Sequence, residues 1–452
     1  MTGRPILTAA RMRAAEEAVI AAGTSTERLM ERAGACLAEA ALRFAGPADT
    51  LLLCGPGNNG GDGYVAARLL RERGVGVRVA SLGAPATPAA KWARAAWDGT
   101  IEPIAAAPPA PLLIDCLFGI GLKCGLDDAL ASDLRRLSDG ARLRIACDLP
   151  SGVDADTGEL LSSIPDADMT VAFGALKPAH RLMPAMAQMG KVVSGDIGVP
   201  TGGGWLEIGR PELPGLDVGG HKFTRGLVHA LAGKMPGAIA LAATAAARTG
   251  TGYVRVSTSR AIDGLPAAVV QTDTAMINDP RIGCLLVGPG MGDLPQVLTL
   301  ALTSHAPKVI DADAIGQVGE PERLRGHDAI LSPHAGEFAR LFGELPGSKS
   351  ERALAAAEKS GAVVVYKGPD TLVASPDGRL GFAPPAPAWL ASAGTGDVLA
   401  GMIAALRARG MPSFDAACAA VWLHGRAAEL AGPQMIADDL AAAIPHALAL
   451  CP

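Results

Sequence analysis

The sequence predicts an α/β protein built as two three-layer αβα domains, and three observations predict it. Short apolar, strand-like runs alternate with amphipathic helical segments in two successive series. A glycine- and proline-rich interval with no periodicity separates the series. The 452 residues, 49% hydrophobic and only 19% charged, supply two cores and rule out a disordered chain.

In the first series, two helical patterns precede any strand. Thr24 with Glu27 three residues on predicts a capping box for the second, whose apolar stripe is Leu29, Ala33, Cys36, Leu37 and Ala40. Strands are then expected at 50–54, 75–82, 112–118, 143–147 and 169–173, with helices at 64–73 and 129–137. Strand, helix, strand implies a parallel sheet covered on both faces. Gly202-Gly203-Gly204, Pro211, Pro214 and Gly219-Gly220 break the pattern, which puts a domain boundary near residue 210, giving domains 1–209 and 210–452.

The second series has expected strands at 227–232, 253–258, 284–287, 309–312, 329–331 and 362–366, and helices at 236–248 and 296–305. Ser348 and Glu351 form a capping box for a helix ending at Gly361. Ser375-Pro376-Asp377-Gly378 predicts a hairpin turn between 371–374 and 379–383, and the chain is helical from Gly396 onward.

The net charge of −5 argues against nucleic acid as a partner. No apolar run has the roughly 18 to 20 residues a bilayer crossing needs, and Met1-Thr2-Gly3-Arg4-Pro5 opens no signal peptide, so no membrane and a cytoplasmic location are expected. The eight cysteines form no C-x-x-C pair, and Cys54, Cys116 and Cys147 fall within predicted strands as small hydrophobes.

Gly55-Pro56-Gly57-Asn58-Asn59-Gly60-Gly61-Asp62-Gly63 follows a buried strand and opens a helix, where free amides and the helix dipole suit a phosphate; a plain tight turn is the alternative. Asp115 and Asp148 end two further strands, the position at which open parallel sheets bind ligands. Each could instead be a loop or cap carboxylate.

With Leu29-Met30-Glu31-Arg32-Ala33-Gly34, Asp115 to Leu122, Asp148 to Asp154 and Phe173-Gly174-Ala175-Leu176-Lys177-Pro178, this half resembles the NAD(P)H-hydrate epimerases, a Rossmann-like fold, over nearly all of 5–200. The resemblance implies that Asn58, Asn59, Gly60, Gly61, Asp62, Gly119, Ile120, Gly121, Leu122, Lys123, Cys124, Gly125 and Asp148 contact a hydrated nicotinamide nucleotide. It also implies a potassium ion on Asn59, Asp115 and Ser151, oxygen donors that suit a hard cation. Asp148 is the candidate proton carrier, with a binding role as the alternative.

In the rear half, Ala393-Gly394-Thr395-Gly396-Asp397-Val398-Leu399-Ala400-Gly401 places small residues ahead of an apolar helix, so that amides meet an oxyanion beside Asp397 as base; a helix-start carboxylate is the alternative. Together with Lys367-Gly368-Pro369-Asp370-Thr371 it resembles the nucleotide site of the ribokinase-like superfamily. Gly288-Pro289-Gly290-Met291-Gly292, Asp311-Ala312-Asp313-Ala314 and Ser332-Pro333-His334-Ala335-Gly336-Glu337-Phe338 narrow the resemblance to the NAD(P)H-hydrate dehydratases, from about His221 onward.

That resemblance implies that Gly292, His334 and Asp397 touch the hydrated nucleotide, while Lys367, Gly368, Pro369, Asp370, Thr371 and Gly396 line the adenine nucleotide, with ADP as donor and magnesium held by the nucleotide's own oxygens. Asp397 would deprotonate the C6 hydroxyl for phosphorylation. One stretch departs from the family pattern, residues 222–233, which puts substrate contacts of that first loop in question. The resulting expectation is a homo-oligomeric bifunctional enzyme acting on NADHX and NADPHX. The alternatives are a small-molecule kinase with an accessory front domain, or a front domain that only senses nucleotide.

Overall fold

The computed structural model describes residues 3–215 and 217–451. By contacts the chain forms two compact units, Pro5–Gly203 and Met1–Arg4 with Gly204–Pro452.

The front unit holds a seven-stranded sheet. Its strands are β1 (Thr50–Cys54), β2 (Val77–Ser81), β3 (Ile101–Pro103), β4 (Leu112–Cys116), β5 (Leu143–Cys147), β6 (Met169–Phe173) and β7 (Lys191–Gly195), in the order β3-β2-β1-β4-β5-β6-β7. Every pairing in it is parallel. Helices α1 (Ala9–Ala21), α2 (Thr26–Ala45), α3 (Asn58–Glu72), α4 (Pro88–Ala95) and α5 (Asp128–Asp139) cover it. Strands β1 and β4 are buried along their whole length, as expected of a parallel sheet sandwiched between helices. The order reverses between β1 and β4, so a crevice opens at their carboxyl ends, beside Gly55 and Leu117.

Helix α3 begins at Asn58 rather than near Tyr64, so the glycine-rich segment is largely helix. The glycines serve packing. A Cβ on Gly60 would lie 1.9 Å from the Gly55 carbonyl oxygen, one on Gly61 2.4 Å from the Met30 methyl, and one on Gly63 2.8 Å from Cys116. The helix therefore seats its first turns directly on β1, β4 and α2, outweighing the roughly 0.5–1 kcal/mol each helical glycine costs. The expected Thr24 cap is also shifted by one residue: Ser25 accepts from the Arg28 amide, which leaves Glu27 in the first turn and no reciprocal box. Cys54, Cys116 and Cys147 are buried in the core.

The rear unit contains a ten-stranded sheet. Its strands are β8 (Trp205–Glu207), β9 (Leu227–Leu231), β10 (Tyr253–Ser257), β11 (Val269–Thr272), β12 (Cys284–Val287), β13 (Lys308–Ile310), β14 (Ala329–Leu331), β15 (Val363–Tyr366), β16 (Leu372–Ala374) and β17 (Leu380–Phe382). They follow the order β11-β10-β9-β12-β13-β14-β15-β16-β17-β8. The β15-β16-β17 pairings are antiparallel, as the Asp377-Gly378 turn requires, and the rest are parallel. The helices are α6 (Pro236–Arg248), α7 (Pro295–Leu302), α8 (Ala335–Phe342), α9 (Lys349–Ser360), α10 (Thr395–Ala408), α11 (Ser413–Ala431) and α12 (Ala437–Leu448). Ser348 and Glu351 cap α9 reciprocally, and Gly361 closes it in the left-handed conformation.

Strand β8 precedes residue 210 yet pairs in parallel with β17. The division by contacts thus falls between Gly203 and Gly204. The Glu207 amide donates to the Arg4 carbonyl at 2.8 Å, and the Arg4 guanidinium grips the Glu207 carboxylate through two bonds of 2.5 and 2.8 Å. Among the described residues no helix is long and apolar enough to cross a membrane.

Helix α10 is the centre of the rear core. Val398, Leu399, Met402, Ile403 and Leu406 are all buried, each contributing about 1.5–3 kcal/mol of apolar burial. It lies against α6 at a point where Gly401 meets the Ala242 carbonyl, and a Cβ there would come within 2.0 Å of that oxygen. Gly401→Ala should therefore destabilise the rear unit by about 1–3 kcal/mol, read as a lower midpoint of its thermal or urea transition; an unchanged midpoint would show that α10 and α6 separate freely.

Candidate functional site

In the front unit, the crevice widens into a cavity of about 650 Å³. Asn58, Asn59 and Asp62 line it from α3, Gly119, Ile120, Gly121 and Leu122 from the segment after β4, and Asp148 from the end of β5. Gly60 and Gly61 do not, being buried in the helix packing described above, and Lys123, Cys124, Gly125, Asp115 and Ser151 lie outside the lining.

Asp148 adopts a left-handed backbone, φ 65°. Its surroundings fix it there. Its amide donates to the Val171 carbonyl (2.8 Å), its Oδ1 accepts from the Phe173 amide (3.2 Å) and from the fully buried Lys177 ammonium (2.5 Å), and its carbonyl meets His180 Nε2 at 2.8 Å. The Lys177 amide donates to His180 Nδ1 at 2.8 Å, so the ring proton is on Nε2. Burial, reinforced by the Lys177 charge, pulls the His180 pKa well down, which keeps the ring neutral.

Asp62 and Glu16 share the cavity with Asp148 and Lys177. Burial raises the Asp62 carboxyl well above the ordinary range, with Asp148 and Glu16 adding like charge and Lys177 opposing. Glu16 is raised too, first by burial, with Lys177 acting against it. One carboxylate is thus ion-paired while its neighbours are pushed toward the protonated form, the division of labour that acid–base chemistry uses. Arg13 reaches over the cavity to the Ile120 carbonyl at 3.1 Å. Arg13 and Glu16 come from α1, which carries no motif, so sequence reasoning passed them over; Lys177 sits in a motif quoted only for its family pattern.

Beside the cavity, Asp115 accepts from the Ser151 hydroxyl (2.7 Å), the Ser151 amide (2.9 Å) and the Leu117 amide (3.0 Å). Burial raises its pKa against those bonds, and among the described residues no cation pairs with it. Asn59 Nδ2 is buried without a hydrogen-bond partner, and its Oδ1 faces Gly119, where a Cβ would approach within 3.0 Å.

The rear site is a chain of ionic contacts at the carboxyl ends of β12 to β15. The Lys367 ammonium holds Asp311 at 2.8 Å and Glu337 at 3.9 Å. Ser332 donates to the same Asp311 oxygen at 2.9 Å. Glu337 accepts from the His334 amide (2.9 Å) and faces His334 Nε2 at 3.3 Å, while His334 Nδ1 caps α8 by accepting from the Gly336 amide at 3.0 Å. The Gly292 amide donates to Asp313 at 2.8 Å. Gly288 and Gly292 are left-handed, φ 118° and 65°, and Gly288 abuts the Asp311 carbonyl so closely that a Cβ would lie 1.8 Å from it. Only glycine can bring the two strand ends together there.

Asp397 stands in the first turn of α10, facing this network. Burial and then the Asp311 charge raise its pKa to about 7, with Lys367 lowering it and Asp313 and Glu337 raising it further. Burial draws the Lys367 pKa down, but Asp311 and Glu337 more than restore it, so the ammonium stays charged. Adjoining it is a cavity of about 470 Å³ lined by Lys367, Gly368, Pro369, Thr371 and Gly396, with Pro384 to Pro387, Trp422 and His424 completing the wall. Asp370 is absent from that wall because its carboxylate turns inward to pair with Lys349. The structure thus brings Gly292, His334 and Asp397 around one acid network and five of the six expected nucleotide-lining residues around one adjoining cavity. The departing 222–233 stretch forms β9, whose His229 is buried between Ser257 and Arg255. Among the described residues no three His, Cys, Asp or Glu side chains gather to hold a metal ion.

Comparison with known proteins follows the same division. A family model described as "NAD(P)H-hydrate dehydratase" matches residues 228–448, and one described as "YjeF-related protein N-terminus" matches 26–179. The chain is 31% identical to a bifunctional NAD(P)H-hydrate repair enzyme of Moorella thermoacetica across 93% of its own length and 92% of that protein. To its counterpart in Escherichia coli it is 30% identical, across 95% and 90%. A solved ADP/ATP-dependent NAD(P)H-hydrate dehydratase of Bacillus subtilis, co-crystallised with ATP/Mg2+, is 32% identical and covers 53% of this chain and 94% of its own, with a TM-score of 0.48. The relatives span both units, which a kinase with an accessory front domain leaves unexplained. With both halves matched in order over nearly its full length, the chain belongs to the family of bifunctional NAD(P)H-hydrate repair enzymes.

Proposed function

We propose that the rear unit dehydrates NADHX and NADPHX at the expense of ADP, and that the front unit interconverts their C6 epimers so that both reach it. The observation that carries this reading is Asp397, a carboxyl with a pKa of about 7 beside a cavity sized for an adenine nucleotide and walled by Lys367 and Gly396.

Asp397 accepts the proton of the C6 hydroxyl, and the oxygen attacks the terminal phosphorus of the nucleotide as the bond to its leaving oxygen breaks, releasing AMP from ADP. Lys367 and the amides of the first α10 turn offset the charge on the transferring group. The ring nitrogen's lone pair then expels phosphate from C6, and loss of a C5 proton leaves the dihydronicotinamide. Magnesium, when bound with the nucleotide, supplies charge neutralisation at the phosphates.

In the front unit Asp62, whose proton affinity burial lifts, gives its proton to the C6 hydroxyl, which leaves as water while the ring nitrogen forms the iminium. Water returns on the opposite face and yields its proton by way of Asp148, positioned by Lys177, back to Asp62, so that both carboxyls end as they began. A potassium ion would suit the oxygen donors Asn59 Oδ1, Ser151 Oγ and the Asp115 carboxyl, a buried acid with which no cation among the described residues pairs.

Asp397→Asn should lower kcat for return of the reduced-ring absorbance by about 10²- to 10⁴-fold. In the unaltered protein kcat should climb as pH rises through about 7, because only the ionised Asp397 accepts a proton, and then level off. A variant as fast as its parent would exclude Asp397 as base. In full-length chain carrying Asp397→Asn, adding either Asp148→Asn or Asp62→Asn should slow R-to-S conversion toward the spontaneous rate, followed by chromatography of the epimers; undiminished conversion would leave both acids without a catalytic role. Replacing potassium with a bulky organic cation should lower the unfolding midpoint of the front unit, and Asp115→Asn should erase that dependence. A midpoint indifferent to the cation would remove potassium from the site.

A further inference from the structure

Thr395 opens α10, and the turn around it is held from several sides. Its hydroxyl lies 2.9 Å from both the Leu390 and Ser392 carbonyls. Gly394 before it is left-handed, φ 85°, and a Cβ there would meet Leu241 at 2.7 Å and Ala437 at 2.9 Å. The Thr395 amide donates to the Ser392 carbonyl at 3.4 Å, and its carbonyl is met from another helix: His424 Nε2 of α11 lies 2.9 Å away. A carbonyl only accepts, so Nε2 carries the proton and the imidazole donates. Burial and the Lys367 charge lower the His424 pKa to about 4 against the pull of that bond, so the ring is a neutral donor across the working range.

The position is an expensive one for a polar ring. His424 follows Ala419-Ala420-Val421-Trp422-Leu423, an apolar run of the rear core, where burying a polar group costs energy unless it is hydrogen-bonded. Its bond goes to the residue two before Asp397, and His424, Thr395, Gly396 and Lys367 all line the one nucleotide cavity. We propose that His424 is a positioning residue for phosphoryl transfer, fixing the first turn of α10 through the Thr395 carbonyl so that the Gly396 amide and the Asp397 carboxylate stay aimed at the reacting groups. This rests on the reading of Asp397 as base. A displacement of about 1 Å in such a group costs on the order of 10²-fold in rate.

The test compares full-length His424→Ala, His424→Gln and Asp397→Asn for kcat, KM and the pH profile of kcat. Asp397 is faced by Asp311 and Asp313 after β13, Glu337 of α8 and Lys367 after β15, all left in place. His424→Ala should lower kcat about 30- to 100-fold with KM for the hydrated nucleotide within about threefold, and shift the acid limb below 7 as the loosened turn lets Asp397 reach water. His424→Gln, whose amide can still donate to the carbonyl, should recover most of the rate and the limb. If His424→Ala does not fold, His424→Asn, with its shorter reach, takes its place with the same expectation. Parental kcat and an unmoved limb in the alanine or asparagine variant, alongside an inactive Asp397→Asn, would overturn the positioning role. So would a glutamine variant as slow as alanine with the limb unmoved. An active Asp397→Asn would overturn the underlying reading instead.

Discussion

Each half of the molecule confines several carboxyls around one lysine, fully buried in front and half-buried behind, and that compensation is what the rest of each site depends on. Lys177 is fully enclosed and bonded to Asp148; Lys367 bridges Asp311 and Glu337. Without the ammonium, the acids would repel one another in a medium that solvates charge poorly, and would neutralise by taking up protons. With it, one acid in each cluster is joined to the ammonium by a direct ion pair while the proton affinity of a neighbour, Asp62 or Asp397, is lifted. The same arrangement of charge thus recurs in both units.

Small residues make that arrangement reachable. Gly60, Gly63 and Gly401 each sit where a single added carbon would strike backbone or core at under 3 Å. Helix beginnings can therefore come down onto strand ends, bringing their unpaired amides and positive dipole ends to the sites. The abundance of glycine that could be mistaken for low complexity is spent on close approach.

Much of this was legible in advance. The Ser348-Glu351 pair and the Asp377-Gly378 turn have local causes, capping and turn chemistry, and the structure has both. The strands of the sheet interiors read clearly because they are continuously apolar. Strands β3, β7, β8 and β11 did not, β3, β8 and β11 being short and all but β8 partly exposed, with pairing rather than periodicity to define them. The glycine-rich segment read as a loop because glycine disfavours helix, and only tertiary contact overrides that. The acids Asp115, Asp148 and Asp397 stood out by position, whereas Asp311 was quoted only within a family motif. Glu16 and His424 could not, since a glutamate on a weakly patterned helix and a histidine in an apolar one acquire meaning only from what folds against them.

Gly3 and Arg4 lie along β8 at the margin of the rear sheet, fastened by the Arg4–Glu207 pair, and the front unit follows from Pro5. Arg4 thus belongs by contacts with the residues from Gly204 onward, and residues 5–203 form the other unit. A rear fragment excised at Gly204 would lose the strip that shields its outermost strand, leaving open amides and carbonyls of the kind that recruit stray β-segments. Splitting this gene product at its apparent linker thus removes a piece of the domain that was meant to be spared.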